Sequence, residues 1–260
     1  MTSDVVKVET RGAAGIIQLN RPEKHNALSL DLLRAIGRAV VDFEDAGTVR
    51  AVVLTGSEKA FSTGADLNEA LKATTPRDAL RYAGEFRKLG TVIEGSAFPI
   101  IAAINGYCIT GGLELALMCD IRLAAPNAVF GITSAKIGSV PGAGGSQRLP
   151  RLVGPAQAKE LLFTCDYIDA AEAYRINLVN HLIHEGSVLD AAIAMADKMA
   201  TRAPLSLAWL KELVNVGMST DLESSLRYEL QLCSSAFMTE DRREGMSAFL
   251  EKRPAQFRGN

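Results

Sequence analysis

Short apolar runs rich in β-branched residues alternate with stretches of helical periodicity up to about residue 185, and beyond that point the strand signals cease. Val5 to Val8 and Gly15 to Leu19, separated by Arg11-Gly12-Ala13-Ala14, read as two short paired strands. Ser29 is placed to cap a helix whose apolar positions Leu33, Ile36, Val40 and Phe43 recur every three or four residues and so share one buried stripe. Further strands are expected at residues 49–54, 100–104, 121–123 and 128–130, with helices at 77–93 and 112–118. This is the pattern of a mixed α/β core made of repeated strand-strand-helix units. In the tail, Leu189, Ile193, Ala196 and Met199 keep helical spacing, Pro204 can open a helix, and Thr220-x-x-Glu223 matches a capping box, with helix expected almost to Pro254. The chain therefore divides into an α/β core over residues 1–195 and a helical region over 196–260. The latter is too short to own a full core, so it is expected to pack on the main domain or on a neighbouring subunit.

Composition narrows the class of function. With 48% hydrophobic and 22% charged residues, the 260-residue chain is an ordinary globular sequence rather than a disordered one. Lys and Arg number 28 against 30 Asp and Glu, a net charge of −2, so no global positive field exists to hold a polyanion and nucleic acid is not expected as a partner. The longest apolar stretch, residues 99–119, is broken by Asn105, by glycines and by Glu114, which argues against a membrane span. Cys108, Cys119, Cys165 and Cys233 form no CxxC pair, and Met1-Thr2-Ser3-Asp4 carries neither a basic leader nor an apolar segment. Reduced thiols in a cytoplasmic protein are the expectation.

Several familiar site patterns are missing or imperfect. Gly142-Ala143-Gly144-Gly145-Ser146-Gln147 has Gln147 where a dinucleotide fingerprint needs its third glycine, and Pro141 precedes it in place of a strand, so it reads as a tight turn. The sequence contains no phosphate-loop motif and no G-x-S-x-G elbow. His181 and His184 stand three apart without the cysteines or acids that would complete a metal set, and no metal is expected.

Two glycine-containing turns remain, each at the end of an apolar strand-like run: Phe61-Ser62-Thr63-Gly64-Ala65-Asp66-Leu67 and Asn105-Gly106-Tyr107-Cys108-Ile109-Thr110-Gly111-Gly112-Leu113-Glu114. In each, glycine permits close backbone approach and leaves amides free ahead of a helix, where the partial positive charge favours an anion. Together they can form an oxyanion hole, with each donor worth about two to three orders of magnitude in rate. Spacing alone is equally compatible with two ordinary βα turns.

These turns, together with Asn20-Arg21-Pro22, Asn26-Ala27-Leu28, the continuation Leu115-Ala116-Leu117-Met118-Cys119-Asp120, and Pro141-Gly142-Ala143-Gly144-Gly145-Ser146-Gln147-Arg148-Leu149, resemble the crotonase superfamily of enoyl-CoA hydratases and isomerases. The likeness runs from Val5 to Phe257 with its motifs in order. It implies a crotonase-like spiral of β-β-α turns with a C-terminal helical oligomerisation region, trimers often paired into hexamers, and an acyl-CoA thioester substrate without a separate cofactor. It also implies backbone oxyanion donors at Thr63 and Gly111, many members carrying alanine where Thr63 stands. By the same resemblance, coenzyme A would lie along Lys24, His25 and Ala27 and against Ala65, Asp66 and Leu67, with Phe249 and Lys252 holding the nucleotide end, often across a subunit boundary. Taken without the resemblance, Lys24 and Lys252 read as solvated surface lysines.

Hydration of an α,β-unsaturated thioester needs water activated for attack at Cβ and a proton delivered to Cα while the carbonyl oxygen carries enolate charge. Family hydratases typically use two glutamates. The first matches Glu114, whose alternative role is stabilising a helix N-terminus by about 0.3–1 kcal/mol. The second should fall in Phe130-Gly131-Ile132-Thr133-Ser134, where this chain has Ser134, a hydroxyl able to hold water but not to replace a carboxylic acid as proton donor. Ser134 can also be an acyl contact or a plain loop residue. The sequence thus favours hydration of a 2-enoyl-CoA through Glu114. It leaves open isomerisation or another single-carboxylate reaction, thioester hydrolysis, and a CoA-ester-binding relative with little turnover.

Overall fold

A computed structural model describes residues 5–260; the Met1-Thr2-Ser3-Asp4 segment, read above as carrying no leader, lies outside them. The chain opens with the antiparallel pair β1 (Val6–Arg11) and β2 (Ala14–Leu19), followed by α1 (Leu30–Ala46). Ser29 caps α1 by accepting the Leu32 N–H at 3.2 Å, and Leu33, Ile36, Val40 and Phe43 are all buried along one side. Next come β3 (Ala51–Thr55), β4 (Ala60–Ser62), α2 (Leu67–Ala70) and α3 (Pro76–Gly95). A second turn of the same kind follows as β5 (Ile100–Ile104), β6 (Tyr107–Ile109) and α4 (Gly111–Met118), and a third as β7 (Ile121–Ala124), β8 (Val129–Gly131), α5 (Gly145–Val153) and α6 (Pro155–Thr164). The remaining elements are β9 (Ile168–Asp169), α7 (Ala170–Arg175), β10 (His181–Leu182), α8 (Val188–Ala200), α9 (Pro204–Gly217), α10 (Leu222–Ala236) and α11 (Glu240–Glu251).

After the β1–β2 hairpin, which lies wholly in the larger sheet, the pairs β3–β4, β5–β6 and β7–β8 each divide between two sheets. The larger runs β1-β2-β3-β5-β7-β10, parallel beyond its first pair, and the smaller runs β4-β6-β8-β9 with β4, β6 and β8 parallel. Successive β-β-α units therefore advance by one strand position in both sheets, which is the spiral that the family resemblance implies. Period-two alternation fills two apolar layers. Val52, Leu54, Ile100, Ala102 and Ile104 face the layer that includes α1, α3 and α4, whereas Ala51, Val53, Ile101 and Ala103 face α8 through Ala192 and Ala196. With both faces covered, β3 and β5 read as continuous apolar runs.

The expected boundary after residue 195 cuts through α8, whose Ala196 is fully buried against the larger sheet. The chain instead leaves the core after α8. A second local difference concerns the tail's capping box. The N-cap of α10 is Asp221, accepting the Ser224 N–H at 3.0 Å, while the Thr220 hydroxyl is engaged by Val216 O and Ser225 Oγ. Neither α9 nor α10 contains a buried residue, and α9 is pinned by a polar contact. The Lys211 ammonium pairs with Asp120 at 3.0 Å and donates to the carbonyls of Ile93 and Phe98 at 2.7 and 3.2 Å. No helix among the described residues is long and apolar enough to cross a membrane.

Candidate active site

The turn after β4 is laced to the loop ahead of α1. Asn26, buried and at φ 54°, is a residue type that tolerates left-handed backbone. Its amide donates to Ala60 O and Phe61 O at 3.0 and 3.1 Å, and its side-chain oxygen accepts the Arg21 N–H at 2.9 Å. From the other side, Ser62 Oγ donates to Asn26 O at 2.8 Å, Thr63 N–H to His25 O at 3.1 Å, Leu28 N–H to Gly64 O at 2.7 Å, and Asp66 N–H to Leu28 O at 3.1 Å. Ala65 N–H is passed over: it has no acceptor among the described residues.

The second turn brings another such amide. Thr110 sits at φ 50°, ψ −119°, an uncommon conformation for a β-branched residue, fixed by donation of its N–H to Gly131 O at 2.7 Å and by a 2.9 Å contact between its hydroxyl and that of Thr133. It delivers Gly111 as the first residue of α4, with an N–H that no described residue accepts. The two orphan amides adjoin. A Cβ built on Gly111 would stand 3.1 Å from Ala65 N, and one on Gly64, at φ 95°, would stand 2.8 Å from Gly111 N. Gly64 therefore has to be glycine both for its backbone conformation and to keep the approach to Gly111 N open.

Glu114 lies one turn into α4 with 3% exposure. Its Oε1 accepts the N–H groups of Ala143 and Gly145, both at 2.8 Å, at the start of α5, leaving Oε2 without a protein donor among the described residues. Burial pushes its pKa above the usual carboxylate range; the two amides and the Arg148 charge oppose that shift only partly. Ser134 is buried as well, on the 3-10 turn Ser134–Ile137 directly after Thr133. Two adjacent amides without acceptors, a buried carboxylate with one free oxygen, and a hydroxyl in place of a second acid form an arrangement able to stabilise an enolate and move a proton.

The sequence profile of the enoyl-CoA hydratase/isomerase family matches residues 9–260. The chain belongs to that family. It is 39% identical to a crotonyl-CoA hydratase of Syntrophomonas wolfei, with 99% of each chain covered, and 41% identical to a probable mitochondrial enoyl-CoA hydratase of Dictyostelium discoideum over 94% of this chain and 87% of that one. The crystal structure of an enoyl-CoA hydratase from Bacillus anthracis superimposes with a TM-score of 0.93 at 37% identity, covering 98% of this chain and all of the other.

Within this family fold, the geometry corrects one expected donor. The Thr63 amide is spent on His25 O, so the amide that pairs with Gly111 is that of Ala65, two residues on. Asp66, expected to lie against the ligand, also has a structural role in the chain itself. Its carboxylate pairs with Arg21 at 3.1 Å and caps α2 through the Asn68 N–H at 3.1 Å, which makes it a brace for the Ala65 turn. Lys24 and His25 are exposed on the loop beside that turn, Ala27 is half-buried, and Leu67 is exposed at the start of α2. Phe249, 83% exposed, and Lys252 lie on and just after α11, and among the described residues no hydrogen bond or ion pair ties them to the Ala65–Gly111–Glu114 cluster.

The sequence gives Asn26 no role of its own, although asparagine in a short turn after a proline-opened segment is a signal for left-handed backbone. It also read residues 142–147 as a tight turn only. The signal there was glycine at the opening of a helix, whose amides are available to a carboxylate.

Proposed function

We propose that the protein is an enoyl-CoA hydratase, catalysing reversible addition of water to a 2-enoyl-CoA thioester in fatty acid metabolism. The observation that carries this reading is the meeting of the Ala65 and Gly111 amides, both without acceptors, beside the buried Glu114 carboxylate. The thioester carbonyl oxygen would accept both N–H groups, so that negative charge developing on it is stabilised by donors already in place and by the N-terminus of α4. Glu114 Oε2 would take a proton from the attacking water as oxygen bonds to Cβ, and the same carboxyl would return a proton to Cα. One carboxylate then serves both steps, on one face of the double bond.

Lys24, His25, Ala27 and Leu67 form the rim along which the coenzyme A portion of the substrate is proposed to lie, with Phe249 and Lys252 acting on a neighbouring subunit's ligand in a homotrimer or a hexamer. The exposed apolar residues of α9 to α11 support assembly. No cofactor beyond the substrate's own coenzyme A is proposed. The four cysteines are unpaired, which supports a reducing, cytoplasmic setting.

Ser134 favours a second reading, isomerisation of a 3-enoyl-CoA, because moving a proton between carbons needs a single base and no water. Incubation with crotonyl-CoA and separately with a 3-enoyl-CoA separates the two. Loss of the conjugated-thioester absorbance with formation of 3-hydroxybutyryl-CoA supports hydration, a rise in that absorbance from the 3-enoyl ester supports isomerisation, and binding of both without product overturns both readings.

A further inference from the structure

One of the two residues whose amides hold Glu114 is itself held by an ion pair. Arg148, in α5, donates from Nε to Glu94 Oε1 at 2.6 Å and from Nη2 to Glu94 Oε2 at 2.9 Å, a bidentate pair that fixes the plane of the guanidinium. Its third nitrogen, Nη1, donates to Ala143 O at 2.9 Å. Ala143 is thus gripped from both sides, its carbonyl by Arg148 and its N–H by Glu114 Oε1. Gly144, at φ 96°, leaves room for the guanidinium: a Cβ there would stand 1.9 Å from Arg148 Nη1. Glu94 in turn sits at the C-terminal end of α3, where its backbone carbonyl accepts the Asn215 side-chain amide of α9 at 3.2 Å.

We propose that Glu94 and Arg148 are positioning residues for the hydration reaction, setting the 143–145 loop and through it the orientation of the Glu114 carboxylate. This rests on the function proposed above. A carboxylate anchored through one oxygen by two amides of a fixed loop keeps its other oxygen aimed at one place, and misplacement of about 1 Å can cost up to about 100-fold in rate.

Arg148 is also the charge that acts on Glu114. Among titratable groups on the elements packed against α4, Glu94 is taken up by Arg148, and Glu85 of α3 pairs with Arg34 and Lys88. The Cys108 thiol of β6 is influenced by Cys119 and Arg122, and β4 carries no titratable side chain. Removing the guanidinium therefore leaves the burial of Glu114 less opposed and moves its protonation to higher pH.

The test compares wild type, Arg148→Met, Arg148→Lys and Glu94→Gln in crotonyl-CoA hydration across pH, in binding of the inert butyryl-CoA, and in carbon-13 NMR titration of the Glu114 carboxyl assigned with Glu114→Gln. In Arg148→Met, kcat is expected to fall by about 10–100-fold with KM and butyryl-CoA affinity within threefold of wild type, and the acid-side midpoint of kcat and the carboxyl titration both rise. Arg148→Lys keeps a charge without the fork, so its midpoint returns toward wild type while kcat stays low. Glu94→Gln, milder for folding, lowers kcat without raising the midpoint. Wild-type kcat and midpoint in Arg148→Met overturn the proposal, as does parallel loss of kcat, affinity and melting temperature in all three variants. If Arg148→Met does not fold, an unchanged kcat in Glu94→Gln overturns it. If wild type hydrates no thioester, the hydratase reading fails alone, and the carboxyl titration still decides whether Arg148 sets the state of Glu114.

Discussion

The Thr63 amide donates its hydrogen to the carbonyl oxygen of His25, 3.1 Å away, and is thereby removed from the set of donors open to a ligand. The neighbouring pair of Ala65 and Gly111 is what remains. Thr63→Ala should accordingly leave kcat for hydration within about threefold, since the backbone donor is already committed and only a 3.3 Å hydroxyl contact to His25 O is lost. Gly64→Ala should lower kcat by about 100-fold or more, because the added methyl crowds Gly111 N and the backbone there disfavours any side chain. Kinetics on both variants, with melting curves to confirm folding, check the contrast; equal losses would place the donor pair elsewhere.

Glu114→Gln should abolish turnover by about 10²- to 10⁴-fold yet make the protein more stable at neutral pH. The folded-state pKa of Glu114 lies above its unfolded value because the carboxylate is buried. The native state therefore binds more protons than the unfolded state between those two values, and stability falls as pH rises through that window. The neutral amide escapes this penalty and can still accept both loop N–H groups through its oxygen. The gain over wild type should be full above the folded pKa and vanish below the ordinary carboxylate range. Urea unfolding of both proteins across pH reads this directly, and a gain that grew on acidification would contradict it.

The central strands of the larger sheet were legible because they are buried on both faces, whereas β4, β6 and β9 of the smaller sheet, two or three residues long, carry too little pattern to read. Runs such as Ile100–Ile104 contain only apolar residues, and their ends are marked by glycine, asparagine or proline. That Gly111 and Glu114 stand together at the opening of a helix was legible for a related reason, a glycine pair and an acid being local features, while the roles expected of them came from the family resemblance. The identity of the other donor was not. Whether an amide at residue 63 or 65 is spare depends on which carbonyls of residues 25–28 it meets, a pairing between segments nearly 40 residues apart. The same holds for Arg148 and Glu94, separated by 54 residues and joined only once α3 and α5 are packed. The boundary expected after residue 195 falls inside α8 because Ala196 looks the same in a tail helix as in one that covers a sheet.

Ser134→Glu should raise hydration of crotonyl-CoA by about tenfold or more, by supplying a second acid to the Cα proton transfer. The residue is 4% exposed, so the new carboxyl would favour its protonated form and the gain should be larger on the acid side of neutrality and shrink as pH rises. Ser134→Ala should change kcat far less. Product formation by each variant, with butyryl-CoA affinity measured alongside, tests the placement. A Ser134→Glu protein that folds and binds thioester without any gain would show that this position does not reach the reacting carbons.

Leu222, Leu226 and Leu230 recur every four residues along α10, each at least half exposed, at 74%, 50% and 71%. Such a row on a helix with no buried residue of its own leaves apolar area in water that a neighbouring copy would cover. Each leucine buried on assembly contributes about 1.5–3 kcal/mol, so replacing all three by glutamine should weaken association by several orders of magnitude in its equilibrium constant while leaving the spiral core intact. Light scattering and sedimentation should show wild type at a multiple of the monomer mass and the triple variant shifted toward 27.8 kDa, with far-ultraviolet circular dichroism unchanged. If Phe249 and Lys252 serve a neighbour's ligand, the dissociated variant should also show a raised KM for the full CoA thioester and an unaltered one for a truncated pantetheine thioester. An undiminished mass for the variant would move the assembly surface off α10.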